Sequence, residues 1–410
     1  MQQNKDKESS VGRLFVPSLT FTCFSLFIVD IIATVFLRDL AMTFFGSTDQ
    51  VFIAITSQIV TVANIVAAIV GLMLGVLSIR FSHKKLLVLG VMCIPIGTLG
   101  CYLAPNFLFM QIFFSIEGIG TMIVWVMQLV LVGELLALNK RPQAIGWIST
   151  GSVFANMAGT LVISFFFIDT GSWRPFLLWF ALPISLIALA AAYFGVPQST
   201  QKRTETVGKE DYLRSFKQIF LQRSAAGCLI ANLIRTASMM WGIYFVAFFI
   251  EQFGLSIASG ALVAFGLAPS IALGQIIGGY LVNRIGRKRL TVISLLIHGA
   301  TLPLIILVPD LLVALAILYS SSFIGALAMS AITNLTLEQV PEFRGMMMSI
   351  NNVLTNFGVA MGTAIGGVTL ALFGYTGVFL IFAVLILFAA SLFLFVTKDP
   401  CANSLTHSKP

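Results

Sequence analysis

The stretch 279–290 reads G-Y-L-V-N-R-I-G-R-K-R-L and is a short basic turn between two long apolar segments. A second copy, G-V-L-S-I-R-F-S-H-K-K-L, occupies residues 75–86, so that the two copies start 204 residues apart. Glu134 and Glu338 are separated by the same number of residues. A fixed offset of this kind indicates an internal repeat, and the chain therefore divides into two related halves.

Apolar segments recur along the whole chain. Of its 410 residues 58% are hydrophobic and 10% are charged, whereas a soluble domain carries about 25% charge. A bilayer core of about 30 Å needs about 20 residues of apolar helix, because backbone groups cannot face lipid unpaired. The sequence thus predicts an all-α membrane protein with twelve transmembrane helices, at 15–37, 51–79, 86–103, 107–138, 144–167, 176–194, 225–249, 258–282, 290–308, 311–336, 346–372 and 378–396.

The basic residues predict the orientation, because Lys and Arg accumulate in loops that stay in the cytoplasm. With Met1 inside, all of the 24 Lys and Arg residues except Arg38, Arg174 and Arg235 fall in cytoplasmic segments. We expect a multi-pass protein of the cell membrane, plasma or inner. Its predicted organisation is a cytoplasmic N-terminus (1–13), a six-helix bundle (14–196), a cytoplasmic linker (197–223) with a candidate amphipathic helix at 210–222, a second six-helix bundle (224–397) and a cytoplasmic tail (398–410).

The composition also argues against several functions. The net charge of +8 follows from this topology and from anionic inner-leaflet lipid, so nucleic acid is not expected as a partner. The five cysteines show no C-x-x-C spacing, and no metal site is expected. No phosphate loop or nucleophile triad is present, so an enzyme is not expected. We expect a monomer with no cofactor, whose partners are a small-molecule substrate, protons and membrane lipids.

The basic turn resembles the loop signature of the major facilitator superfamily, G-x-L-a-D-r-x-G-r-k. The first copy is a degenerate match, with Ile79 in place of the acid and Ser82 in place of the glycine. The second copy has Asn283 at the acidic position and matches the signature after it at Arg284, Gly286, Arg287 and Lys288.

Three further stretches resemble the family: E-L-L-A-L-N-K-R at 134–141, E-Q-V-P-E-F-R-G at 338–345, and W-R-P-F at 173–176, which is similar to drug-efflux members. The resemblance implies two pseudo-symmetric bundles that rock about a midplane cavity. It also implies a cytoplasmic latch, with Arg80 paired to Glu134 and Arg284 or Arg287 paired to Glu338; topology anchoring alone is the alternative. The residues assigned to this gating loop are Gly75, Arg80, Glu134, Arg141, Gly279, Asn283, Arg284, Gly286, Arg287, Glu338 and Arg344.

Three ionisable residues lie well inside the predicted spans: Asp30, Glu117 and Arg235. Each costs at least about 2.5–3.5 kcal/mol by insertion scales, which makes it a functional candidate. In the superfamily the helices that carry them, 1, 4 and 7, line the central cavity together with helix 10. Adding 204 residues to Asp30 gives Ile234, so the acid and Arg235 are expected at pseudo-equivalent positions.

Polar residues of helices 9 to 11 are further candidates. The 204-residue offset takes Glu117 to a polar cluster on helix 10, and three asparagines on helix 11 are candidates for binding substrate or for bonding across helices. His298 is expected to be a satisfied or lipid-adjacent histidine. The substrate or ion-pair candidates besides Arg235 are Tyr319, Ser321, Ser322, Asn351, Asn352 and Asn356.

These residues support three functional hypotheses. An acid in a cavity that opens alternately to each side can load and release a proton, which favours Asp30 or Glu117 as the coupling carboxylate. The first hypothesis is a secondary transporter that exports lipophilic or amphipathic compounds in exchange for protons, similar to the drug:proton antiporter branch. The second is uptake of a small organic anion held by Arg235. The third is a transport-inactive receptor or lipid-translocating relative, in which neutralising the three charges leaves activity intact. A separate alternative for the charges themselves is a buried interhelical ion pair that serves packing only.

Overall fold

The computed structural model describes residues 14–136, 140–166, 172–197, 218–340 and 344–399. All regular elements in these ranges are helical. Eleven of the helices are long and apolar enough to cross a bilayer. The predicted amphipathic helix at 210–222 lies mostly outside the described residues.

The first half of the chain contains six spans. Helix α1 has a main part and a short continuation, and it is followed by a separate nine-residue helix that we name the distal segment of α1. Helix α6 contains one π-helical stretch. The bounds are α1 (Phe15–Asp30 and Ile32–Val35), its distal segment (Leu37–Phe45), α2 (Gln50–Arg80), α3 (His83–Leu103), α4 (Phe107–Leu135), α5 (Arg141–Phe166) and α6 (Trp173–Phe176, Leu177–Ala181 and Leu182–Gly195).

The second half repeats this order. Helix α7 has a main part, a 3₁₀ stretch and a nine-residue end that we name the distal segment of α7. Helix α9 ends in a 3₁₀ stretch. The bounds are α7 (Arg223–Ser238 and Met239–Ile243), its distal segment (Phe245–Phe253), α8 (Ile257–Ile285), α9 (Arg287–Thr301 and Leu302–Leu307), α10 (Leu311–Glu338) and a final helical stretch (Arg344–Phe395).

The final stretch holds two spans. Its 52 residues would extend about 78 Å as one straight helix, more than twice the thickness of a bilayer core. Gly374 interrupts it with φ 64° and ψ −167°, a conformation that only glycine adopts readily. We name the two parts α11 (344–373) and α12 (375–395). The prediction of an all-α protein with twelve spans is confirmed.

The chain packs as two compact units. The first comprises the described residues within Met1–Thr48, Thr56–Thr206 and Leu255–Leu262, and the second those within Asp49–Ile55, Val207–Gly254 and Val263–Pro410. Within the second unit α7 packs closely on α11, because Gly358 has no side chain. A Cβ at Gly358 would lie 2.7 Å from the carbonyl oxygen of Leu233.

The backbone repeats with the predicted offset in the middle of each half. Helices α3 and α9 begin 204 residues apart, and so do α4 and α10. The caps repeat as well: Asn106 Oδ1 accepts from the N–H of Phe109 at 3.1 Å, and Asp310 Oδ1 accepts from that of Val313 at 3.0 Å. Each cap satisfies an otherwise unpaired N–H of the first helical turn.

The offset is different for α1 and α7. Their main parts each have 16 residues and begin 208 residues apart. Their distal segments each have nine residues and end at Gly46 and Gly254, both left-handed with φ 69° and 65°. Asp30 therefore corresponds to Ser238, and Arg235 to Phe27, so the predicted match of Asp30 with Arg235 is wrong. The four-residue difference is removed in the following loop and in α8, which is shorter than α2.

Candidate functional site

The first unit brings two membrane-embedded acids together. Asp30 is the last residue of the main part of α1. The regular series of backbone hydrogen bonds is interrupted just beyond it, because the N–H groups of Thr34 and Val35 both donate to the carbonyl of Ile31, at 3.0 and 2.8 Å. The side chain of Asp30 is half-buried, whereas Glu117 of α4 is 1% exposed. The two carboxyls are close enough to interact electrostatically. They form a pair with one accessible and one buried member.

Glu117 is enclosed by close helix packing. A Cβ at Gly97 of α3 would lie 2.8 Å from the Cβ of Glu117 and 2.9 Å from the carbonyl oxygen of Phe113. The absence of a side chain at Gly97 lets α3 approach α4 at the level of the acid. The hydroxyl of Thr121 donates to Glu117 Oε1 at 3.4 Å, one turn further along α4. The buried carboxyl thus has a fixed position rather than free access to water.

Asp30 lies on a partly exposed face of α1. Phe24, Phe27 and Asp30 follow one another at three-residue spacing, and each is less buried than the residues between them. Phe27 also packs edge-on against Trp125 of α4, with ring centroids 6.4 Å apart. The same face continues toward the start of α1, where it borders a cavity.

This cavity has a volume of about 690 Å³ and lies between α1, the end of α4 and the first half of α5. Phe24 is six residues from Asp30, so the cavity ends about 9 Å along the helix axis from that acid. Four aromatic rings and several aliphatic side chains dominate its wall, with few polar groups. The lining residues are Val16, Pro17, Thr20, Phe21, Phe24, Leu136, Lys140, Gln143, Ala144, Trp147, Gly151 and Phe154.

Gln128 links α4 to α1 and was not among the predicted residues. Its Nε2 donates to Thr22 Oγ1 at 2.7 Å and to the carbonyl oxygen of Leu19 at 3.1 Å. The side chain is 1% exposed. A single glutamine within a long apolar segment is the sequence signal that indicates such a buried interhelical bond.

The second unit carries the embedded cation. The Nε of Arg235 donates to Asn232 Oδ1 at 2.9 Å, and Asn232 Nδ2 donates to Asn351 Oδ1 of α11 at 2.7 Å. Arg235 Nη2 also reaches Thr236 Oγ1 at 3.3 Å. Within the described part of its own unit, Arg235 has no carboxylate at ion-pair distance. Asn351 therefore bonds across helices, the second of the two roles predicted for it.

The other polar candidates of this unit bond mainly within the helical framework. Asn356 Nδ2 donates to the carbonyl of Asn352 at 3.0 Å, and Ser322 Oγ donates to that of Leu318 at 2.7 Å. Tyr319 donates from its hydroxyl to the carbonyl of Val263 on α8 at 3.1 Å. Of these side chains Tyr319, Asn352 and Asn356 are half-buried, and Ser322 is buried.

His298 is buried against the broken part of α7. Its Nδ1 lies 2.8 Å from Ser321 Oγ, and its ring centroid lies 6.3 Å from that of Trp241. His298 Nε2 and Trp241 Nε1 are buried without a hydrogen-bond partner among the described residues. The positive charge of Arg235 acts on His298. His298 is thus satisfied at one nitrogen, and at 1% exposure it is enclosed by protein.

Glu134 of the first unit contacts a different base than predicted. His83 Nδ1 lies 2.6 Å from Glu134 Oε1, and no contact between Arg80 and Glu134 is present in the described ranges. Arg141 Nε instead donates to the carbonyl of Leu136 at the end of α4, at 3.0 Å. Since His83 lies only three residues after Arg80, it reaches the helix end that Arg80 was expected to reach.

The second copy of the turn has the predicted backbone. Gly286 has φ 92° and precedes the first residue of α9, a conformation that favours glycine. Gly75 and Gly279 lie within α2 and α8. The pairing of Arg284 or Arg287 with Glu338 stays a prediction, and the side chains of Asn283 and Arg344 lie outside the described residues.

Twelve apolar helices in two repeated halves, with ionisable side chains set inside the spans, are the architecture of a membrane transporter. The sequence profile of the Major Facilitator Superfamily matches residues 15–273 and 236–409. The chain belongs to the Major Facilitator Superfamily.

Curated relatives are distant transporters. The uncharacterized transporter YbcL of Bacillus subtilis is 23% identical over 326 residues, which cover 77% of this chain and 80% of that protein. The cis,cis-muconate transport protein of Acinetobacter baylyi is 22% identical over 270 residues, covering 62% of this chain and 63% of that one. The uncharacterized transporter YvkA of Bacillus subtilis is 25% identical over 165 residues, and the match spans only 37% of its length.

Solved structures show the same fold. A D-xylose–proton symporter superposes with a TM-score of 0.77 at 16% identity, covering 94% of this chain and 97% of that chain. The nucleoside transporter NupG gives a TM-score of 0.73 at 16% identity, covering 94% and 100%. At this identity the similarity establishes the fold alone. It does not assign the ligands of these proteins to this chain.

Proposed function

We propose that the protein is a secondary active transporter that works by alternating access and uses the proton gradient to export lipophilic or amphipathic small molecules. The carboxyl pair of Asp30 and Glu117 carries the proposal, because it lies within the spans beside a break in α1. Two carboxyls within electrostatic reach hold protons jointly, since their negative charges repel each other. A proton taken up on one side is released when the surroundings of the pair change.

The two acids have different roles in this proposal. Asp30 is half-buried on the exposed face of α1 and exchanges its proton with the aqueous pathway. Glu117 is fully enclosed and holds a charge or a proton that biases Asp30. We further propose that both termini face the cytoplasm, as the basic loops indicate.

The size and lining of the cavity in the first unit support the proposal of an apolar substrate. Its volume of about 690 Å³ lies in the range of sites for small organic molecules, roughly 300–1,000 Å³. Aromatic rings such as Phe21, Phe24 and Trp147 offer apolar faces, while Lys140 and Gln143 supply polar contacts. A compound with an apolar body and one polar end matches this lining.

Proton-coupled uptake of a small organic anion is the second candidate function. Arg235 favours it, because its guanidinium is held by Asn232 and pairs with no carboxylate in the described part of its unit. Guanidinium groups suit carboxylates, since they can donate two parallel hydrogen bonds. A relative of the chain transports cis,cis-muconate. In this function Tyr319, Asn351, Asn352 and Asn356 remain candidates for substrate contact.

Flux across proteoliposomes with an imposed pH gradient tests the proposal. The probes are rhodamine 6G as an amphipathic dye and cis,cis-muconate as an organic anion. We expect proton-driven movement of the dye in the wild type and a loss of about 100-fold in Asp30→Asn or Glu117→Gln. The matched control is Asp310→Asn, where the cap accepts a hydrogen bond through a side-chain oxygen that asparagine retains.

Three other outcomes would each replace the proposal. Muconate flux that depends on Arg235 and on the gradient would establish the uptake function. Gradient-driven dye flux that persists in both acid variants would remove the coupling assignment. No flux of either probe, together with dye binding that none of the three charge variants alters, would favour the receptor or lipid-translocating alternative.

A further inference from the structure

A third carboxyl of the first unit lies beyond the membrane-spanning part of α1. Asp39 is on the distal segment of α1, and its Oδ2 accepts a hydrogen bond from the N–H of Trp173 at 3.0 Å. The indole Nε1 of Trp173 donates in turn to Thr43 Oγ1 at 3.2 Å. Two hydrogen bonds thus join one turn of the distal segment to the first residue of α6.

The start of α6 is itself well fixed. Trp173 is completely buried, and Arg174 stacks on its ring at 5.1 Å. Arg174 Nη2 donates to the carbonyl of Ala104 at the end of α3, at 3.0 Å. Ser172 caps the helix by accepting from the N–H of Arg174. The distal segment thus attaches to a corner of the unit that several contacts hold in place.

The carboxyl of Asp39 changes charge in an accessible pH range. Burial raises its pKa to about 6, while the bond from Trp173 and the charge of Arg174 act in the lowering direction. Arg174 is the charged group of α6 that acts on it, Arg38 adjoins it on its own segment, and the residue at the end of α3, Ala104, carries no charge. A carboxyl that returns to water has its ordinary pKa of about 3.9. Proton binding consequently favours the attached state of the segment, and ionisation favours its release into water.

The distal segment of α7 offers an internal comparison. It is held by neutral rings: Phe248 packs on Phe379 at 5.0 Å and on Tyr375 at 5.7 Å. These contacts do not change with pH. The one carboxyl of this segment, Glu251, is exposed and accepts a hydrogen bond from Gln50 Nε2 at 2.9 Å, so the buried attachment of the segment rests on the rings.

We propose that Asp39 is a positioning residue of the transport cycle, which attaches the distal segment of α1 to the start of α6 when it is protonated and loosens that attachment when it is ionised. Phe36, with φ −100° and ψ 17°, separates the segment from the interrupted stretch that follows Asp30, and we place the hinge of this movement there. The inference rests on the proposed proton-driven transport and, for the side of the membrane, on the proposed orientation, which places Asp39 in the outer medium.

Amide hydrogen exchange in lipid nanodiscs tests this inference without any substrate. After correction for the intrinsic rate, we expect exchange in peptides covering residues 37–45 to rise severalfold between pH 5 and pH 7.5, with a midpoint near 6. Peptides covering 245–253 should show no such step. Asp39→Asn keeps an acceptor for Trp173 and stays neutral, so its exchange should remain at the low, acid level throughout.

Further variants separate attachment from protonation. Asp39→Ala removes the acceptor and should raise exchange in 37–45 at every pH, whereas Thr43→Val loses only the indole bond and should keep the midpoint. In proteoliposomes Asp39→Asn should abolish the step near pH 6 in the flux profile while retaining proton-driven flux, in contrast to Asp30→Asn. A wild-type exchange profile that is flat with pH, or an Asp39→Asn profile that follows the wild type, overturns the inference even if proton-driven transport is established.

Discussion

The two units share a backbone plan but differ in the chemistry they place on it. The main parts of α1 and α7 have the same length, both are interrupted at the same stage, and both continue into a nine-residue distal segment. Yet the first unit carries acids at the interruption, Asp30 and Glu117, and the second carries Arg235 one turn earlier than the position of Asp30, with His298 beside it. The comparison shows that the repeated backbone sets the position of each interruption. The side chains beside it determine whether that position carries an acid or a base.

Each unit also holds its embedded charges with its own residues. Arg235 is held by Asn232 and Thr236 through its donors. Glu117 is held by helix packing around Gly97 and by Thr121. The embedded charges are therefore fixed locally by hydrogen bonds and packing within each unit.

The largest expected effect is the loss of coupling on neutralising the buried acid. Glu117→Gln keeps the shape and the bond to Thr121 but removes the ionisable group that biases Asp30, and we expect gradient-driven accumulation to fall about 100-fold, as for loss of an acid–base group. Exchange of substrate at equal pH should persist, because it moves no net protons. The measurement is accumulation with and without the gradient. Equal losses in both modes would show that Glu117 serves binding or folding instead.

The packing at Glu117 gives the next largest effect. Gly97→Ala places a methyl group against Glu117 and Phe113, and such overpacking costs about 1–3 kcal/mol. The control is Gly279→Ala on α8, where no atom lies within 4 Å of the new Cβ and where alanine gains up to about 1 kcal/mol of helix propensity. Thermal unfolding in detergent should thus shift in opposite directions for the two variants. An unchanged melting temperature in Gly97→Ala would mean that α3 and α4 can separate at this level.

Much of this plan was predictable from the sequence. Twelve apolar spans and the 204-residue offset follow from hydropathy and from the paired turns at 75–86 and 279–290, since both are local patterns. Embedded charges are few enough in such a chain to be identified by depth alone. The positive φ of Gly286 also follows from the turn that its neighbours require.

Other features depend on three-dimensional neighbours. No glycine or proline marks the interruption after Asp30, where the sequence reads I-V-D-I-I-A-T-V-F. The 208-residue offset between α1 and α7 was not visible in the sequence. The loop before α8 and α8 itself return the offset to 204 residues before the second copy of the turn is reached. His83 replaces Arg80 at Glu134, and Asp39 meets Trp173 from 134 residues away. Such partners are set by helix rotation, which hydropathy does not specify.

A smaller effect is expected in the second unit. Under the second candidate function, uptake of an organic anion, Arg235→Gln should lower flux of an anionic probe about tenfold, the equivalent of one charge-assisted hydrogen bond of about 1.4 kcal/mol. Asn351→Ala leaves the charge but removes the support of Asn232, and a loss of about threefold is expected. The readout is the concentration dependence of muconate flux. It is compared with the flux of rhodamine 6G, the amphipathic probe for the apolar cavity of the first unit. A loss for the dye as large as that for the anion would assign Arg235 to the framework of the unit.

The smallest expected effect concerns global stability and the charge of Asp39. Its pKa is about 6 in the folded protein and about 3.9 in the unfolded chain. A raised pKa in an acid means that the folded state binds the proton more tightly, so this contribution to stability is fully present below pH 3.9 and is lost as pH rises through 6. Partial exposure of the carboxyl keeps the contribution modest. In detergent, the melting temperature of Asp39→Asn should therefore equal that of the wild type at pH 4 and exceed it by a few degrees at pH 7.5. The contrary result is a wild type that gains stability relative to Asp39→Asn as the pH rises. It would mean that Arg174 and the Trp173 bond lower the pKa of Asp39 more than burial raises it. The distal segment of α1 would then be held most firmly by an ionised carboxylate.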